Sequence, residues 1–253
     1  MAHLPGKFVW FEHVSPDPAQ AQVFYAGLCG WAVQSMPMGD QTYDMIMNGE
    51  QAIGGWRGAD KGVTPHWASY LSVPDVDKSV MASTAAGATL VMPPTAFGDV
   101  GRGAAIQDPS GAMVCLWKNA QGDPQDAANT PFGNWFWNEL WSTDIKAATA
   151  FYAKALGHTV DTMDMGPQGT YYILKDGGGA MRAGAMQQAP DASMPSFWLP
   201  YIHVADCDAA GAMARELGAV ETIVPPNDIP GIGRFTVIID PLGAPIGLIK
   251  GAG

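Results

Sequence analysis

The stretch FVWFEHVSPDPAQAQVFYAGLCGW, residues 8–31, decides how this chain folds. Its first eight residues are largely apolar and aromatic, as in a short strand. Asp17 follows at the position of a helix N-cap, and Gly30 is a helix stop signal after a run of helix formers. The stretch therefore predicts a strand followed directly by a helix.

The same pattern returns later as WFWNELWSTDIKAATAFYAKALGH, residues 135–158, with Trp-x-Glu and Phe-Tyr at matching positions. Two further segments also recur. HWASYLSVPDVD (66–77) is similar to FWLPYIHVADCD (197–208), and GRGAAIQDPSGAMVCLWK (101–118) is similar to GRFTVIIDPLGAPIGLIK (233–250). The chain is therefore two copies of one unit.

The boundaries of the copies follow from the tract NAQGDPQDAANTP, which is polar and contains Pro and Gly. Such a composition is typical of a linker. We predict one domain over residues 6–120, a linker over 121–130 and a second domain over 131–253.

Each copy is itself bipartite, because each half begins with a strand that ends in an aspartate at an N-cap position. These aspartates are Asp17, Asp75, Asp144 and Asp206. Short apolar or alternating runs follow every helix, and Asp-Pro-x-Gly at 108–111 and 240–243 predicts tight turns between strands. We predict an α+β fold of four βαβββ modules, two in each domain.

The bulk composition excludes several classes of partner. The chain has 253 residues and a net charge of −11, which disfavours binding to nucleic acid or to an anionic membrane surface. The three cysteines have no CxxC spacing, and the N-terminal residues lack the layout of a signal peptide. No apolar run reaches the roughly 18–20 residues of a membrane span. We expect a soluble, cytoplasmic protein.

These motifs resemble those of the vicinal oxygen chelate superfamily, which contains glyoxalases, bleomycin resistance proteins and extradiol dioxygenases. The resemblance rests on strand–Asp–helix–Phe-Tyr–Gly and on Asp-Pro-x-Gly, and it covers nearly the whole chain in two tandem domains. The paired Trp-x-Glu and Gly-Arg motifs are similar to a tandem subgroup labelled hydroxylase-like or glyoxalase-like. The resemblance implies cupped mixed sheets in which two modules form one cup around a site.

The resemblance also implies where a metal would be bound. Metal-binding members of the superfamily place a histidine on the first strand, a second ligand on the strand that opens the next module, and a glutamate after Asp-Pro-x-Gly. The residues at these positions are Trp10, Ala68 and Cys115 in the first copy and Trp137, Leu199 and Gly247 in the second. Since a catalytic divalent metal needs about three protein donors, we predict no metal and no other cofactor.

Two histidines could still contribute to a site. Side chains alternate along a strand, so His13 is expected on the face opposite to Trp10 and Glu12, as a surface or core residue. His66 lies near a ligand position, but Phe197 occupies its place in the second copy. Neither histidine is predicted to bind a metal.

Glu12 and Glu139 are the candidate catalytic residues, because a carboxylate on an aromatic-lined strand face is suited to general acid–base chemistry. The predicted substrate-binding residues are Trp10, Tyr70, Arg102, Trp137, Tyr201 and Arg234. By symmetry Tyr70 should face Glu12, and Tyr201 should face Glu139. The two arginines could pair with these glutamates or with an anionic substrate group, and a buried salt bridge that fixes the fold is the alternative.

The favoured function is binding or conversion of a small carbonyl-bearing or aromatic molecule without the usual metal, by a lyase, isomerase or hydroxylase-like enzyme. Two alternatives are a non-catalytic protein that sequesters a small molecule and a metal-dependent lyase or dioxygenase. The expected partner is a small-molecule ligand or substrate. The chain is expected to be a monomer, which its repeat makes an internal pseudo-dimer, or a homodimer.

Overall fold

The structure is a computed structural model that describes residues 2–38, 41–166, 169–187 and 194–252. Its elements follow the order βαβββ four times, which confirms the predicted α+β fold and its four modules. The first copy holds modules one and two, and the second copy holds modules three and four.

Module one consists of β1 (Phe8–Ser15), α1 (Pro18–Cys29), β2 (Ala32–Met38), β3 (Gln41–Asn48) and β4 (Gln51–Gly58). Module two consists of β5 (His66–Ser72), α2 (Val76–Ala85), β6 (Thr89–Phe97), β7 (Gly101–Gln107) and β8 (Met113–Asn119). Module three consists of β9 (Trp135–Ser142), α3 (Ile145–Leu156), β10 (Thr159–Asp164), β11 (Thr170–Lys175) and β12 (Met181–Gln187). Module four consists of β13 (Phe197–His203), α4 (Cys207–Glu216), β14 (Glu221–Ile229), β15 (Gly233–Ile239) and β16 (Pro245–Gly251).

The four helices begin at the predicted aspartates. Each N-cap carboxylate accepts a hydrogen bond from the backbone amide three residues later, which satisfies a donor that the helix leaves unpaired. Helices α1 and α3 end at Gly30 and Gly157, whose φ angles of 70° and 76° are left-handed and therefore suit glycine. Local sequence signals thus determine both ends of these helices.

The strands of each copy form one mixed, curled sheet of eight strands. The order is β2-β3-β4-β1-β5-β8-β7-β6 in the first copy and β10-β11-β12-β9-β13-β16-β15-β14 in the second. β1 pairs with β4 in parallel, and β5 pairs with β8 in parallel, whereas the hairpins within each module are antiparallel. Prolines lie in the edge strands β2, β6 and β14, where a missing backbone donor costs no ladder hydrogen bond and discourages pairing with another chain.

The chain divides into two compact units that do not follow the order of the copies. Unit 1 comprises Met1–Val9, Ser69–Asp126 and Trp137–Trp198. Unit 2 comprises Trp10–Ala68, Ala127–Phe136 and Leu199–Gly253. Unit 1 therefore combines most of module two with module three, and unit 2 combines module one with most of module four. The predicted domain boundaries at 6–120, 121–130 and 131–253 describe the repeat and stay predictions.

The core of unit 2 is built from aromatic side chains on the side of the sheet that carries α1. Tyr25 stacks on Trp31 with ring centroids 5.3 Å apart, and Trp67 meets the Tyr25 ring edge-on at 5.3 Å. In unit 1, Trp198 meets Tyr152 of α3 in the same way, also at 5.3 Å. The Phe-Tyr pairs of the sequence are therefore core residues. In the described part of the chain, no helix is long and apolar enough to cross a membrane.

Candidate active site

The alternation along β1 places Glu12 and His13 on opposite faces of the strand. His13 is fully buried, lies 5.9 Å from the Tyr25 ring of α1, and its Nε2 is 2.8 Å from Oδ2 of Asp240. Leu140 takes the equivalent place in the second copy and is also fully buried. His13 is therefore a core residue on the helix side, as expected, and Glu12 points to the other face.

Glu12 receives a hydrogen bond from a tyrosine that the sequence analysis did not select. The Tyr43 hydroxyl on β3 donates to Glu12 Oε1 at 2.6 Å, and the Trp10 indole donates to the Tyr43 oxygen at 3.0 Å. Burial, and then the nearby Glu12 carboxylate, raise the pKa of Tyr43 far above its ordinary value. Tyr43 is therefore a neutral donor that holds one oxygen of Glu12 in place.

The second copy repeats this relay of a Trp, a Tyr and a carboxylate. The Trp137 indole donates to the Tyr171 hydroxyl at 2.9 Å, and this hydroxyl hydrogen-bonds with Glu139. Burial and the Glu139 charge raise the pKa of Tyr171 as well. Glu139 Oε1 also accepts from the Trp141 indole at 2.6 Å. Both predicted catalytic glutamates are buried, with 7% of each residue exposed, and both are oriented by neutral donors.

A glycine beside each glutamate makes room for the tyrosine hydroxyl. Gly55 is in register with Glu12, and Gly184 is in register with Glu139. A Cβ atom would lie 1.9 Å from the Tyr43 hydroxyl at the first glycine and 1.8 Å from the Tyr171 hydroxyl at the second. Any other residue at these positions would displace the tyrosine. The Glu–Tyr contact therefore depends on three strands, β1, β3 and β4, or β9, β11 and β12.

A repeated signal could have identified these tyrosines from sequence. Thr-Tyr occurs at 42–43 and again at 170–171, near the start of the second strand after the helix in each module. The spacing differs by one residue from that of Trp-x-Glu, so a comparison at one fixed offset does not align the two tyrosines. The spacing between Gly55 and Gly184 differs from that of Trp-x-Glu by two residues.

Tyr70 and Tyr201 occupy equivalent positions on β5 and β13. Tyr70 is in register with Cys115 and packs edge-on against Trp117 at 6.0 Å. Tyr201 is in register with Gly247, where a Cβ atom would lie 2.3 Å from the tyrosine ring. Tyr70 belongs to unit 1 and Tyr201 to unit 2. Their predicted orientation towards Glu12 and Glu139 stays a prediction.

Arg102 and Arg234 each form an ion pair with an aspartate in the first turn of the helix of their own module. Arg102 makes two hydrogen bonds to Asp77 of α2, at 2.7 and 2.8 Å, and Arg234 makes two to Asp208 of α4, at 2.6 and 2.9 Å. Arg234 also donates to Asp228 at 3.0 Å. These pairs are exposed rather than buried. Binding of an anionic substrate group by either arginine stays a prediction.

The residues at the superfamily's metal positions do not fit a divalent cation. The Trp10 and Trp137 indoles are hydrogen-bond donors without a lone pair for a metal, and Ala68 and Leu199 are buried apolar residues. Of the remaining two, Cys115 and Gly247, the cysteine alone carries a donor atom. Within residues 2–38, 41–166, 169–187 and 194–252, no group of three His, Cys, Asp or Glu side chains is placed to hold a metal ion.

Two of the three cysteines, Cys29 and Cys207, are not suited to nucleophilic catalysis. All three lie in the described part of the chain as free thiols. Burial raises the pKa of Cys29 to about 12 and that of Cys207 to about 11. Both thiols therefore stay protonated near neutral pH, and the reactive thiolate is not formed.

Buried carboxylates on the helix side form a second set of relays. In unit 2, Trp67 donates to the Tyr25 hydroxyl at 3.2 Å, and this hydroxyl donates to Asp240 at 3.1 Å. In unit 1, Trp198 donates to Tyr152 at 2.9 Å, and Tyr152 donates to Asp108 at 3.0 Å.

The two aspartates differ because only Asp240 has a histidine partner. Burial raises the pKa of Asp108, and hydrogen bonds from Ser110, Ala112 and Tyr152 offset this only in part. Burial acts in the same direction on Asp240, but the His13 hydrogen bond and charge outweigh it, so the pKa of Asp240 is lowered. These groups face the core and stabilise the fold.

Comparison with known proteins agrees with this architecture. The Mn(II)-bound glyoxalase from Novosphingobium aromaticivorans matches with a TM-score of 0.65 at 16% identity, over 97% of this chain and 82% of that one. Homoprotocatechuate 2,3-dioxygenase from B. fuscum matches with a TM-score of 0.64 at 15% identity, over 100% of this chain and 73% of that one. No model of a protein family matches the chain. The chain belongs to the vicinal oxygen chelate superfamily of glyoxalases and extradiol dioxygenases, as shown by its 35% identity, over 96% of this chain, to a relative named a glyoxylase.

Two relatives are similar over nearly their whole length. The "Putative glyoxylase CFP32" of Mycobacterium bovis and Mycobacterium tuberculosis is 35% identical over 249 residues, which are 96% of this chain and 94% of the relative. The "Anthracycline biosynthesis protein DauV" of Streptomyces sp. strain C5 is 30% identical over 264 residues, covering 97% of this chain and 94% of the relative.

Proposed function

We propose that this protein binds a small carbonyl-bearing or aromatic molecule beside Glu12 and Glu139 and catalyses proton transfer on it without a divalent metal. The observation that carries this proposal is the repeated relay, in which a half-buried Trp and Tyr hold one oxygen of a buried glutamate. The relays that end at Asp240 and Asp108 stabilise the fold on the helix side, so support for a functional role comes from the position of Glu12 and Glu139 on the opposite face in both copies. The names of the two relatives point to α-oxo and aromatic carbonyl compounds as the first substrates to test.

The proposed reaction is a proton shift next to a carbonyl group. The glutamate takes a proton from the carbon beside the carbonyl, and the electron pair of the broken C–H bond forms an enolate. The carboxyl then returns a proton to that same carbon, which restores the carbonyl compound with its hydrogen exchanged or its configuration at this carbon inverted, and no oxidant is needed. Tyr43 and Tyr171 keep their own protons because their pKa values are raised, and they orient the base rather than exchange with it.

The other predicted residues take supporting roles in this proposal. The Trp10 and Trp137 rings line the site, and aromatic side chains suit a planar ligand. Tyr70 and Tyr201 would donate to the substrate carbonyl, and Arg102 and Arg234 would attract an anionic group. Glu12 and Glu139 are buried, and the low dielectric around them strengthens polar contacts to these two carboxylates.

The test of the base uses deuterium exchange from solvent. A panel of small ketones, 2-oxo acids and aldehydes is incubated in D2O with the protein, and exchange next to the carbonyl is followed by NMR. We expect Glu12→Gln and Glu139→Gln together to slow exchange by about 100-fold or more, because a general base contributes roughly 10²–10⁴-fold. The control is Glu50→Gln, which removes an exposed charge from the same β3–β4 hairpin as Tyr43. This variant should catalyse exchange of the substrate at the rate of the natural protein.

Undiminished exchange in the double variant would show that the glutamates are not the base. Binding of panel members without exchange by the natural protein would favour the non-catalytic alternative. The metal-free part of the proposal is tested separately by elemental analysis and by treatment with a chelator. Activity should survive chelation, and loss of a tightly bound divalent metal together with activity would contradict it.

A further inference from the structure

The two glutamate sites differ at three equivalent positions, two of which are matched by strand register and one by the sequence repeat. Two residues beyond Glu12, Val14 is in register with Arg57. Two residues beyond Glu139, Trp141 is in register with Met186. Alternation places each of these residues on the same sheet face as its glutamate. The third position opens the next module, where His66 in the first copy corresponds to Phe197 in the second.

The first site contains a cation next to its carboxylate. Arg57 Nε lies 3.5 Å from Glu12 Oε2, and 45% of the arginine side chain is exposed. His66 is near enough for the Arg57 charge to affect it. Burial first, and then Arg57, lower the pKa of His66, while the backbone oxygen of Thr64, 2.9 Å from Nδ1, acts the other way. Glutamate and arginine together leave this site close to electrically neutral.

In the second site, the described residues at the matching positions are apolar or aromatic. Trp141 donates to Glu139 Oε1, and its ring lies 5.6 Å from that of Phe197. Met186 stands where the first site has Arg57. The donors to Glu139 described above, Trp141 and Tyr171, are both neutral. The described neighbours Trp141, Phe197 and Met186 are themselves uncharged and offer a ligand flat or apolar surface.

We infer that the two sites accept ligands of different charge. The Glu12 site takes a molecule that carries a carboxylate, which the half-exposed Arg57 guanidinium binds. The Glu139 site takes a neutral aromatic molecule, which lies against Trp141 and Phe197. This inference rests on the proposed function of the two glutamate sites, and it names the class of ligand for each.

Two probes with one ring and different charge test the inference. They are para-fluorophenylglyoxylate and the neutral diketone in which a methyl group replaces the carboxylate oxygen. Binding of each is measured by fluorine NMR with the full chain. Arg57→Met introduces the residue that the second copy has naturally, and it should weaken glyoxylate binding by about 10-fold without affecting the diketone. Arg215→Met removes an exposed charge from α4 of the same unit and should bind both probes normally.

The reciprocal variant is Trp141→Val, which introduces the residue of the first copy. It should weaken diketone binding several-fold and leave glyoxylate binding unaffected. An aromatic pair contributes about 0.5–1.5 kcal/mol beyond its buried area, which corresponds to a change of roughly 2–12-fold in affinity. The inference is overturned if Arg57→Met retains full glyoxylate affinity, if Trp141→Val retains full diketone affinity, or if the natural protein binds neither probe at millimolar concentration. Exchange catalysis plays no part in these measurements. If the catalytic proposal is wrong, the glutamate variants will exchange deuterium as fast as the natural protein, while the two probes still bind according to their charge.

Discussion

At the scale of single residues, a hydrogen-bonded chain of Trp, Tyr and carboxylate occurs four times among the residues that the structure describes. Two of these chains lie on the helix side and end at Asp240 and Asp108. The other two end at Glu12 and Glu139 on the opposite face. In each chain the indole can only donate, so the tyrosine oxygen accepts from it and gives its own proton to the acid. The arrangement determines the direction of every hydrogen bond.

Replacing Gly55 by alanine should break the chain that ends at Glu12. The new methyl group would lie 1.9 Å from the Tyr43 hydroxyl. The half-buried Tyr43 side chain must therefore move away from the Glu12 carboxylate. We expect the free energy of unfolding to fall by about 1–3 kcal/mol, the usual cost of overpacking, and exchange activity at this site to fall with it. Urea denaturation measures the first quantity.

Gly58→Ala on the same strand is the matched control. Its Cβ atom would meet only Pro18, at 4.0 Å. Removing a glycine at such a position stabilises a protein by about 0.4–1 kcal/mol through the unfolded state. Equal stability of the two alanine variants would show that Tyr43 does not require the space at Gly55.

At the scale of elements, the hydrogen-bonded arginines connect a strand to the start of a helix. Arg102 on β7 holds Asp77 in the first turn of α2, and Arg234 on β15 holds Asp208 in the first turn of α4. The arginine hydrogen bonds keep the pKa values of both aspartates below their ordinary values. Negative charge at a helix N-terminus is itself favourable, so each aspartate serves both the helix and the strand.

A comparison of Arg102→Ala with Asp77→Ala separates the structural role of this pair from the predicted role in binding. Each variant breaks the same ion pair, so both should lower the melting temperature slightly and to a similar extent, less so in high salt. If Arg102 also binds an anionic substrate group, its loss alone should raise KM for a carboxylate substrate. Steady-state kinetics of both variants measure this. Equal KM values would restrict Arg102 to its contact with α2.

At the scale of the whole molecule, each compact unit joins modules that are distant in sequence. In unit 2, Tyr25 of module one and His13 both contact Asp240 of module four. In unit 1, Tyr152 of module three contacts Asp108 of module two. The Asp-Pro-x-Gly motif thus does more than form a turn, because its aspartate is the buried acceptor for the tyrosine of another module.

Asp240→Asn and Asp108→Asn should change stability with opposite dependence on pH. The pKa of Asp240 is lowered in the folded protein, so its stabilisation is present above about pH 4 and is lost as pH falls through the folded pKa. The pKa of Asp108 is raised, so its contribution is present below about pH 4 and is lost as pH rises through the folded pKa. Asp240→Asn should therefore cost most near neutral pH, about 3 kcal/mol for a broken buried pair. Asp108→Asn should lower the free energy of unfolding least near neutral pH.

Urea denaturation between about pH 3 and about pH 7 measures both dependences. Each asparagine retains an oxygen that can accept the hydrogen bonds from the backbone amides of its turn. Loss of these turn hydrogen bonds therefore does not contribute to the difference between the two variants. Parallel pH profiles for the two variants would show that His13 does not distinguish the two aspartates.

Sequence by itself determined the four βαβββ modules, the helix ends and the opposite faces of Glu12 and His13. These features are local: N-caps, left-handed glycines and the alternation of a strand depend on residues only a few positions apart. The superfamily also follows from sequence, because its motifs recur in register.

Only the tertiary structure decided which side chains meet. The contact of Tyr43 with Glu12 depends on the register of β3 and β4, which shifts at Ile46 and Met47, and on the empty volume at Gly55. The partner of Arg102 is an aspartate on a separate helix, and the compact units combine modules that are not consecutive. Such long-range choices depend on strand register and close packing over the whole fold, and no short segment of the sequence encodes them.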